Sequence, residues 1–146
     1  MKRLILILFV VSIVNSFAQT KLDYGIQFYH GTWKEACDKA KAENKLIFVD
    51  FYTQWCGPCL NMAENVFILP FIGDFYNTNF VNMKIDAENG EGVELAKRYG
   101  VNSYPTYVFV DPKNGDVVHQ SKSRQEAEQF LATGKSALVP ELRSGY

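Results

Sequence analysis

The residue types best able to do chemistry in this sequence lie together in the segment 55–59, which reads WCGPC. The segment follows a strongly apolar run and opens a helical pattern, so we expect it where a buried strand leads into a helix. Free N–H groups and the positive dipole end of that helix would lower the pKa of Cys56 below the value of about 8.5 of a free thiol. Cys59 would face inward within disulfide reach, where burial keeps its thiol protonated. The spacing predicts that Cys56 attacks and Cys59 resolves.

The two residues between the cysteines suit the same chemistry. Gly57 has no side chain, which allows the backbone of a partner to approach the sulfur atoms. Pro58 is compatible with a first helical turn and restricts the geometry of the two sulfurs. We therefore expect both residues to contact a substrate.

Three other uses of a cysteine pair compete with redox chemistry. Haem attachment requires a histidine directly after the pair, where this chain has Leu60. A structural zinc site requires about four ligands, and the remaining candidates show no ligand spacing: Cys37, His30 and His119. A purely structural disulfide stays open, although a bridge that closes so short a loop adds little stability. Redox turnover explains the placement better, and we expect no metal and no bound cofactor.

An acidic residue interrupts the apolar run that precedes the pair. Asp50 stands in the middle of LIFVDFY, where both faces of a strand would be buried, and a buried carboxylate requires a reason. One interpretation is a proton acceptor beneath Cys59, with a pKa raised by desolvation. The other is an aspartate at a solvated strand edge.

A second candidate feature is the dipeptide Tyr104-Pro105 before a β-rich run. A cis peptide bond there would turn the Tyr104 backbone towards a ligand. On the residues alone, an ordinary trans proline at the start of a strand is the more frequent case, because only about 5% of X-Pro bonds are cis.

Strand and helix patterns alternate around these residues. Alternating and β-branched segments predict five strands: Ile26 to Tyr29, Lys45 to Tyr52, Phe80 to Ile85, Thr106 to Val110 and Asp116 to His119. Turn residues 111–115 predict that the last two strands form an antiparallel hairpin.

Helical spacing accounts for the segments between the strands. Thr32 is expected to cap a helix whose apolar face carries Trp33, Ala36, Cys37 and Ala40. Further helices are expected from Cys56–Cys59 through Phe67 to an interruption at Pro70, then over Phe71 to Tyr76, over Val93 to Tyr99, and after a capping box formed by Ser123 and Glu126. The order βαβαβαββα predicts an α/β fold, a three-layer sandwich around a mixed sheet.

Composition excludes several classes of protein. The chain has 146 residues, 47% of them hydrophobic and 21% charged, which is typical of one globular domain. Fifteen basic and sixteen acidic residues provide no basic field, so nucleic acid is not an expected partner. Three cysteines are too few for a disulfide-stapled miniprotein.

The amino terminus has the pattern of a secretory signal peptide. Lys2 and Arg3 precede an apolar run from Leu4 to Val14, and the residues 16–18 resemble a cleavage site. The run is shorter than the roughly 20 residues of a membrane-spanning helix. We expect cleavage after Ala18, which divides the chain into a signal peptide (1–18) and an exported, mildly acidic domain (19–146) without stable membrane insertion.

Several separated motifs occur in the order known from one family. Val49-Asp50-Phe51 leads into the segment 55–59, and Arg98-Tyr99-Gly100-Val101 precedes Tyr104-Pro105-Thr106. Over about residues 25–133 the sequence resembles the thioredoxin family, and most of all exported bacterial thioredoxin-like proteins, including the periplasmic domain of a transmembrane electron transporter.

The resemblance implies the thioredoxin-like fold and a role for each site residue. It implies the redox roles of Cys56 and Cys59, a buried acid at Asp50, and a cis Pro105 beside the disulfide. The Tyr104 backbone would then pair with a substrate strand.

Some positions depart from the pattern of cytosolic thioredoxins. Asn82 stands where a lysine near the buried acid is usual, and Tyr52 replaces a tryptophan. The segment 118–123 is shorter and lacks the glycine that normally lines the peptide groove. Cys37 is interpreted as a small apolar residue of its helix face. Trp55 and Tyr104 are expected to form an exposed apolar rim for partners.

These observations predict an exported or periplasmic thiol–disulfide oxidoreductase, acting as a reductase of protein disulfides. Its expected partners are protein thiols and disulfides and a membrane thiol–disulfide electron donor, and the mature chain is expected to be a monomer. A disulfide oxidase or isomerase, with a more oxidising disulfide, is the rival enzyme. A redox-inert peptide-binding module of the same fold is the alternative outside enzymology.

Overall fold

The computed structural model describes residues 24–142, so the predicted signal peptide lies outside the described residues. Within this range the chain forms one mixed sheet of four strands: β1 (Leu46–Tyr52), β2 (Phe80–Asp86), β3 (Thr106–Val110) and β4 (Val117–Lys122). Their spatial order is β2-β1-β3-β4. β1 runs parallel to β2 and antiparallel to β3, and β3 and β4 form an antiparallel hairpin.

Helices cover both faces of this sheet. Their bounds are α1 (Trp33–Glu43), α2 (Gly57–Asn65), α3 (Pro70–Asn79), α4 (Gly92–Arg98) and α5 (Ala127–Leu138), followed by a short 3-10 helix at Pro140–Leu142. α1 and α4 share one core cluster with the sheet, and α2, α3 and α5 share the other. The predicted three-layer α/β sandwich is confirmed.

β1 is the central element because it is buried on both faces. Phe48 packs in the cluster beneath α2, α3 and α5, whereas its neighbour Val49 and then Phe51 pack in the cluster beneath α1 and α4. Alternate side chains of a strand point to opposite faces of the sheet. Burial of each aliphatic or aromatic side chain stabilises the fold by roughly 1.5–3 kcal/mol. The buried side chains of β1 therefore fix the position of its C-terminal end, which leads into α2.

The first predicted strand is wrong in extent. Ile26 to Tyr29 forms only an isolated parallel bridge, between Phe28 and Asn82. The N–H of Gln27 donates to the side chain of Asn77 instead of to a backbone carbonyl of β2, at 2.8 Å. A hydrogen bond to a side chain therefore takes the place of one of the backbone hydrogen bonds that a longer strand would make with β2.

The predicted break between two helices is present, but it lies at residues 66–69 and not at Pro70, so the expected continuation of the first helix through Phe67 is wrong. α2 ends at Asn65, and Pro70 is the first residue of α3, where its missing N–H costs nothing. Tyr76 of α3 stacks on Phe130 of α5 within the aromatic cluster, with ring centroids 4.6 Å apart.

One of the two predicted helix caps is correct. Thr32 and Glu35 form a capping box at the start of α1. Ser123 and Glu126 do not, because α5 begins only at Ala127. Ser123 instead has a positive φ of 70° and its N–H donates to the carbonyl of Pro105, at 2.9 Å. This hydrogen bond joins the end of β4 to the loop before β3. Ser123 therefore lies four residues before the first residue of α5 and cannot cap that helix.

Gly73 allows the N-terminal segment to pack on α3. A Cβ at this position would overlap the backbone carbonyl of Gly25. We expect Gly73→Ala to lower the free energy of unfolding by about 2–3 kcal/mol, since backbone cannot move aside as a flexible side chain does. Gly100→Ala is the comparison: Gly100 has a φ of 64° and open space around it, so its cost is about 1–2 kcal/mol. Urea unfolding of both variants measures the difference, and an equal or smaller loss for Gly73→Ala would contradict the close approach.

Candidate active site at the Cys56–Cys59 pair

Cys56 and Cys59 form a disulfide at the start of α2. Their Cα atoms are 5.3 Å apart and the S–S distance is 2.10 Å. Cys56 is the N-cap residue of the helix, and its Sγ accepts the N–H of Cys59 at 3.2 Å. Pro58 lies in the first turn. The predicted position of the pair at a helix N-terminus therefore corresponds to the structure.

The end of β1 determines where the pair lies. β1 ends at Tyr52, and the N–H of Cys56 donates to the carbonyl of Thr53 at 3.3 Å in the tight connection to α2. The free N–H groups and the dipole of α2 point at the Cys56 sulfur, where they stabilise negative charge.

The two cysteines occupy different positions on α2. Cys59 and Met62 are the buried residues of the helix, and Met62 belongs to the aromatic cluster that contains Phe48. Cys56 precedes the helix, beside the exposed Gly57. Both cysteines are buried, with 6% of Cys56 and 3% of Cys59 exposed, and Cys56 is the one that adjoins the exposed helix start.

Asp50 lies inside the protein and is only 1% exposed. It follows Phe48 by two residues, so it lies on the face of the sheet that α2 covers, nearer the end at which α2 begins. Neither of its carboxylate oxygens has a hydrogen-bond partner among the described residues. The interpretation of Asp50 as a residue of a solvated strand edge is therefore wrong.

Burial dominates the electrostatics of this carboxyl group. Desolvation raises the pKa of Asp50 to about 7, and the positive charge of Lys84 acts in the opposite direction. Lys84 is the register partner of Asp50 on β2, and its Nζ lies 4.8 Å from the ring centre of Tyr52. Near neutral pH the carboxyl group can therefore both release and accept a proton.

Lys84, and not the residue at position 82, places a lysine beside the buried acid. Asn82 pairs with Phe48, one step further from the active-site end, and its side-chain amide donates to Asn77 Oδ1 at 3.0 Å and to the Gln27 carbonyl at 3.3 Å. It fixes the N-terminal segment to the sheet edge. Asn82 occupies the position where a lysine is usual, and Lys84, two positions further along the same strand, is the lysine that neighbours Asp50.

The rim of the site is aromatic on one side. Trp55 is 70% exposed, and its ring lies edge-to-face with that of Tyr104, with centroids 6.0 Å apart. The indole N–H donates to Glu88 at 3.0 Å. The contact brings the Tyr104–Pro105 loop to the end of the sheet that carries the cysteine pair, and the peptide bond between Tyr104 and Pro105 is cis.

A cleft opens beside the disulfide, and Trp55 of the aromatic rim also lines it. It has a volume of about 230 Å³ and reaches from the exposed rim to residues near Asp50. Its lining includes Tyr52, Thr53, Cys59, Leu60, Ala63 and Lys84. The cleft therefore joins the disulfide to Lys84, the register partner of Asp50.

The third cysteine lies apart from the pair. Cys37 is free and half-buried on α1, where it packs against the core cluster beneath α1 and α4. Burial raises the pKa of its thiol, which makes it less reactive.

The part of the chain from residue 24 to 142 contains no helix long and apolar enough to cross a membrane.

The sequence model of the thioredoxin-like domain matches residues 33–138, which include the cysteine pair, Asp50 and Pro105. The chain belongs to the thioredoxin-like family. This confirms the resemblance drawn from the separated motifs, and it agrees with the mixed sheet and the helices on both faces.

Several proteins are similar to this thioredoxin-like chain. The solution structure of a provisionally assigned disulphide-isomerase from Bacteroides thetaiotaomicron is 42% identical, with a TM-score of 0.71, and covers 79% of this chain and 94% of that one. A thioredoxin from Thermus thermophilus is 28% identical, with a TM-score of 0.70 over 79% and 88% of the two chains. Thioredoxin-1 of Drosophila yakuba is 46% identical over 69 residues, which are 47% of this chain and 60% of that protein. The match thus spans about 60% of the length of this curated relative.

Sequence reasoning missed two residues that contact the predicted site. Lys84 faces Asp50, and Glu88 holds the Trp55 indole. The alternation of β2 could have indicated Lys84, since residues 82 and 84 share a face. No local pattern connects Glu88 with Trp55, because the contact joins two loops 33 residues apart.

Proposed function

We propose that this chain is an exported thiol–disulfide oxidoreductase that reduces disulfides of exported proteins through a mixed disulfide at Cys56. The observation that supports this most directly is the bonded Cys56–Cys59 pair at the N-terminus of α2, the helix that covers the sheet face on which the buried Asp50 lies. A helix N-terminus, an inward cysteine and a buried acid supply the nucleophile, the resolving thiol and the base that disulfide exchange requires.

The first half of the reaction takes place at Cys56. In the reduced protein the Cys56 thiolate attacks one sulfur of a substrate disulfide, and the second substrate sulfur leaves as a thiolate that takes up a proton. The N–H of Cys59, which contacts Cys56 Sγ, stabilises the attacking thiolate. A mixed disulfide between Cys56 and the substrate results.

The second half takes place at Cys59. Asp50 accepts the proton of the Cys59 thiol, directly or through a water molecule in the cleft, and the Cys59 thiolate attacks Cys56 Sγ. The Cys56–Cys59 disulfide forms, and the substrate sulfur that was bonded to Cys56 leaves and is protonated. Two electrons have then passed from the protein dithiol to the substrate disulfide. The pKa of Asp50, raised to about 7 by burial, suits a base that acts near neutral pH.

The surface around Cys56 is proposed to bind the substrate as an extended strand. The Tyr104 backbone, before Pro105, would pair with the substrate chain by strand addition. Trp55 and Tyr104 provide an apolar contact beside the sulfur atoms. Gly57 and Pro58 are exposed at the helix start, and a Cβ at Gly57 would meet no other atom within 4 Å, so a partner backbone has room to approach.

The proposed compartment and electron supply follow from the sequence pattern. Residues 1–18 are proposed to direct export to the periplasm or beyond, leaving residues 19–146 as a monomeric mature protein. A reductase is oxidised by each substrate, so it requires a donor of electrons in an oxidising compartment. A membrane thiol–disulfide protein is the proposed donor.

The reduction potential of the Cys56–Cys59 pair tests the direction of electron flow. We expect a value of about −270 mV in equilibrium with a dithiothreitol couple, as for reducing members of the family. A value near −120 mV would instead indicate an oxidase or isomerase, the class to which the name of the Bacteroides relative refers. If the pair shows no reversible transition, the proposed enzyme function fails and a peptide-binding module remains.

A further inference from the structure

The strand on the other side of β1 places a tyrosine next to the buried acid. Tyr107 of β3 is the antiparallel register partner of Asp50. It belongs to the same core cluster as Phe48, so its side chain and that of Asp50 lie on one face of the sheet. Directly opposed residues of neighbouring antiparallel strands have Cβ atoms roughly 5 Å apart.

The hydroxyl group of Tyr107 is buried without a partner. The side chain is 0% exposed, and its oxygen makes no hydrogen bond with any described residue. The other buried tyrosine of the cluster differs in this respect, because the Tyr76 hydroxyl donates to the Phe130 carbonyl at 2.8 Å. A buried polar group without a partner costs about 1–3 kcal/mol, so the Tyr107 hydroxyl is an unexplained polar atom beside an equally unpartnered carboxyl group.

The two groups are chemically complementary when Asp50 is ionised. A carboxylate only accepts hydrogen bonds, and a phenol donates one. Burial and the neighbouring Asp50 both raise the pKa of Tyr107 well above its ordinary value, so the hydroxyl keeps its proton at physiological pH. Hydrogen bonds to a charged group contribute about 1.5–3 kcal/mol.

We propose that Tyr107 is a positioning residue for Asp50, whose hydroxyl donates a hydrogen bond to the ionised carboxylate, directly or through one water molecule. The proposal rests on the proposed function only in its consequence for catalysis. In the cycle described above, the bond would stabilise the form of Asp50 that accepts the Cys59 proton.

Tyr107 would act alongside the other groups that face Asp50. Lys84 approaches from β2, Tyr52 follows on β1 itself, and Cys59 faces the sheet from α2. Lys84 is exposed and belongs to the solvent cleft. The hydroxyl of Tyr107 is fully buried, so solvent and salt screen its effect less than that of the exposed Lys84.

The test is a carboxyl carbon NMR titration of Asp50 in the full chain with the disulfide intact. The wild-type midpoint is expected near 7, and Asp50→Asn identifies the signal by its loss. Tyr107→Phe keeps the ring and removes the hydroxyl, and we expect a midpoint of about 8, a tenfold lower acid dissociation constant. Tyr99→Phe is the matched control, because it removes another buried, unpartnered hydroxyl on the opposite face of the sheet. Its midpoint is expected to equal that of wild type.

The outcomes separate this proposal from the proposed function. An unchanged midpoint in Tyr107→Phe, or an equal change in Tyr99→Phe, overturns the role of Tyr107. If Tyr107→Phe does not fold, the wild-type protein is titrated instead, and the carbon NMR signal of the Tyr107 ring carbon bonded to the hydroxyl is recorded against pH. A titration step of that signal at the Asp50 midpoint supports the proposal, and its absence overturns it. Failure of the proposed function would appear elsewhere, as disulfide reduction that persists in Cys56→Ser.

Discussion

Replacement of Cys56 by serine is expected to abolish disulfide reduction by this protein. A serine hydroxyl is almost fully protonated at neutral pH and cannot form the mixed disulfide, so the position keeps its place at the helix start but loses the nucleophile. We expect the rate of dithiothreitol-driven insulin reduction to fall to that of the uncatalysed exchange between dithiothreitol and insulin.

Two further cysteine variants make this experiment specific. Cys59→Ser should still attack but not resolve, so the substrate stays covalently attached to Cys56 and turnover stops after one event. The trapped species is measured as a mass increase that reducing agent removes. Cys37→Ser is the matched control, because Cys37 lies on α1 outside the pair, and it should retain wild-type activity. Retained activity in Cys56→Ser would contradict the catalytic role of the pair.

Asp50→Asn is expected to make the folded protein more stable at alkaline pH. In the native state the pKa of Asp50 is raised to about 7, whereas an unfolded chain has a value of about 3.9. The native state therefore binds more protons than the unfolded state between about pH 4 and 7, and its stability falls as the pH rises through this window. The total loss is roughly 4 kcal/mol, complete above pH 7. The asparagine variant lacks this loss because it carries no charge into the core.

The measurement is the free energy of unfolding in urea from pH 4 to pH 8.5. At pH 4 the variant and the wild type should be similar, and the difference should grow with pH up to several kcal/mol. Asp74→Asn serves as the control, since Asp74 is an exposed carboxylate on α3. Curves for wild type and Asp50→Asn that stay parallel over this range would contradict a destabilising buried charge.

The two effects of Asp50→Asn have opposite signs, which is typical of a functional residue. The same substitution removes the base proposed to deprotonate Cys59, so the resolving step should slow while the fold gains stability. A buried carboxyl group that only filled space in the core would lower stability without any gain in activity.

Local patterns were sufficient for the position of the cysteine pair. The apolar run of β1, the break after Tyr52 and the helical spacing after Cys56 lie within a short stretch of chain, and each depends on neighbours in sequence. The same holds for Pro70 at the start of α3 and for the hairpin of β3 and β4. These are the features that backbone preference and side-chain periodicity determine.

Local patterns failed where a residue had two possible partners. Ile26 to Tyr29 has the alternation of a strand, yet the Asn77 side chain takes one of its backbone N–H groups. Ser123 and Glu126 have the spacing of a capping box, yet the chain around Ser123 packs on Pro105 first. In both cases a contact with a distant residue outweighs the local preference.

The sequence by itself determined the cysteine pair, the central strand and the family. Only the tertiary structure decided that Asp50 is buried and which residues surround it. The register of β1 against β2 places Lys84 rather than Asn82 opposite Asp50, and the register of β1 against β3 places Tyr107 on its other side. The physical reason is that a register shift of one residue moves every side chain of a strand to the opposite face, and packing of the whole sheet sets the register.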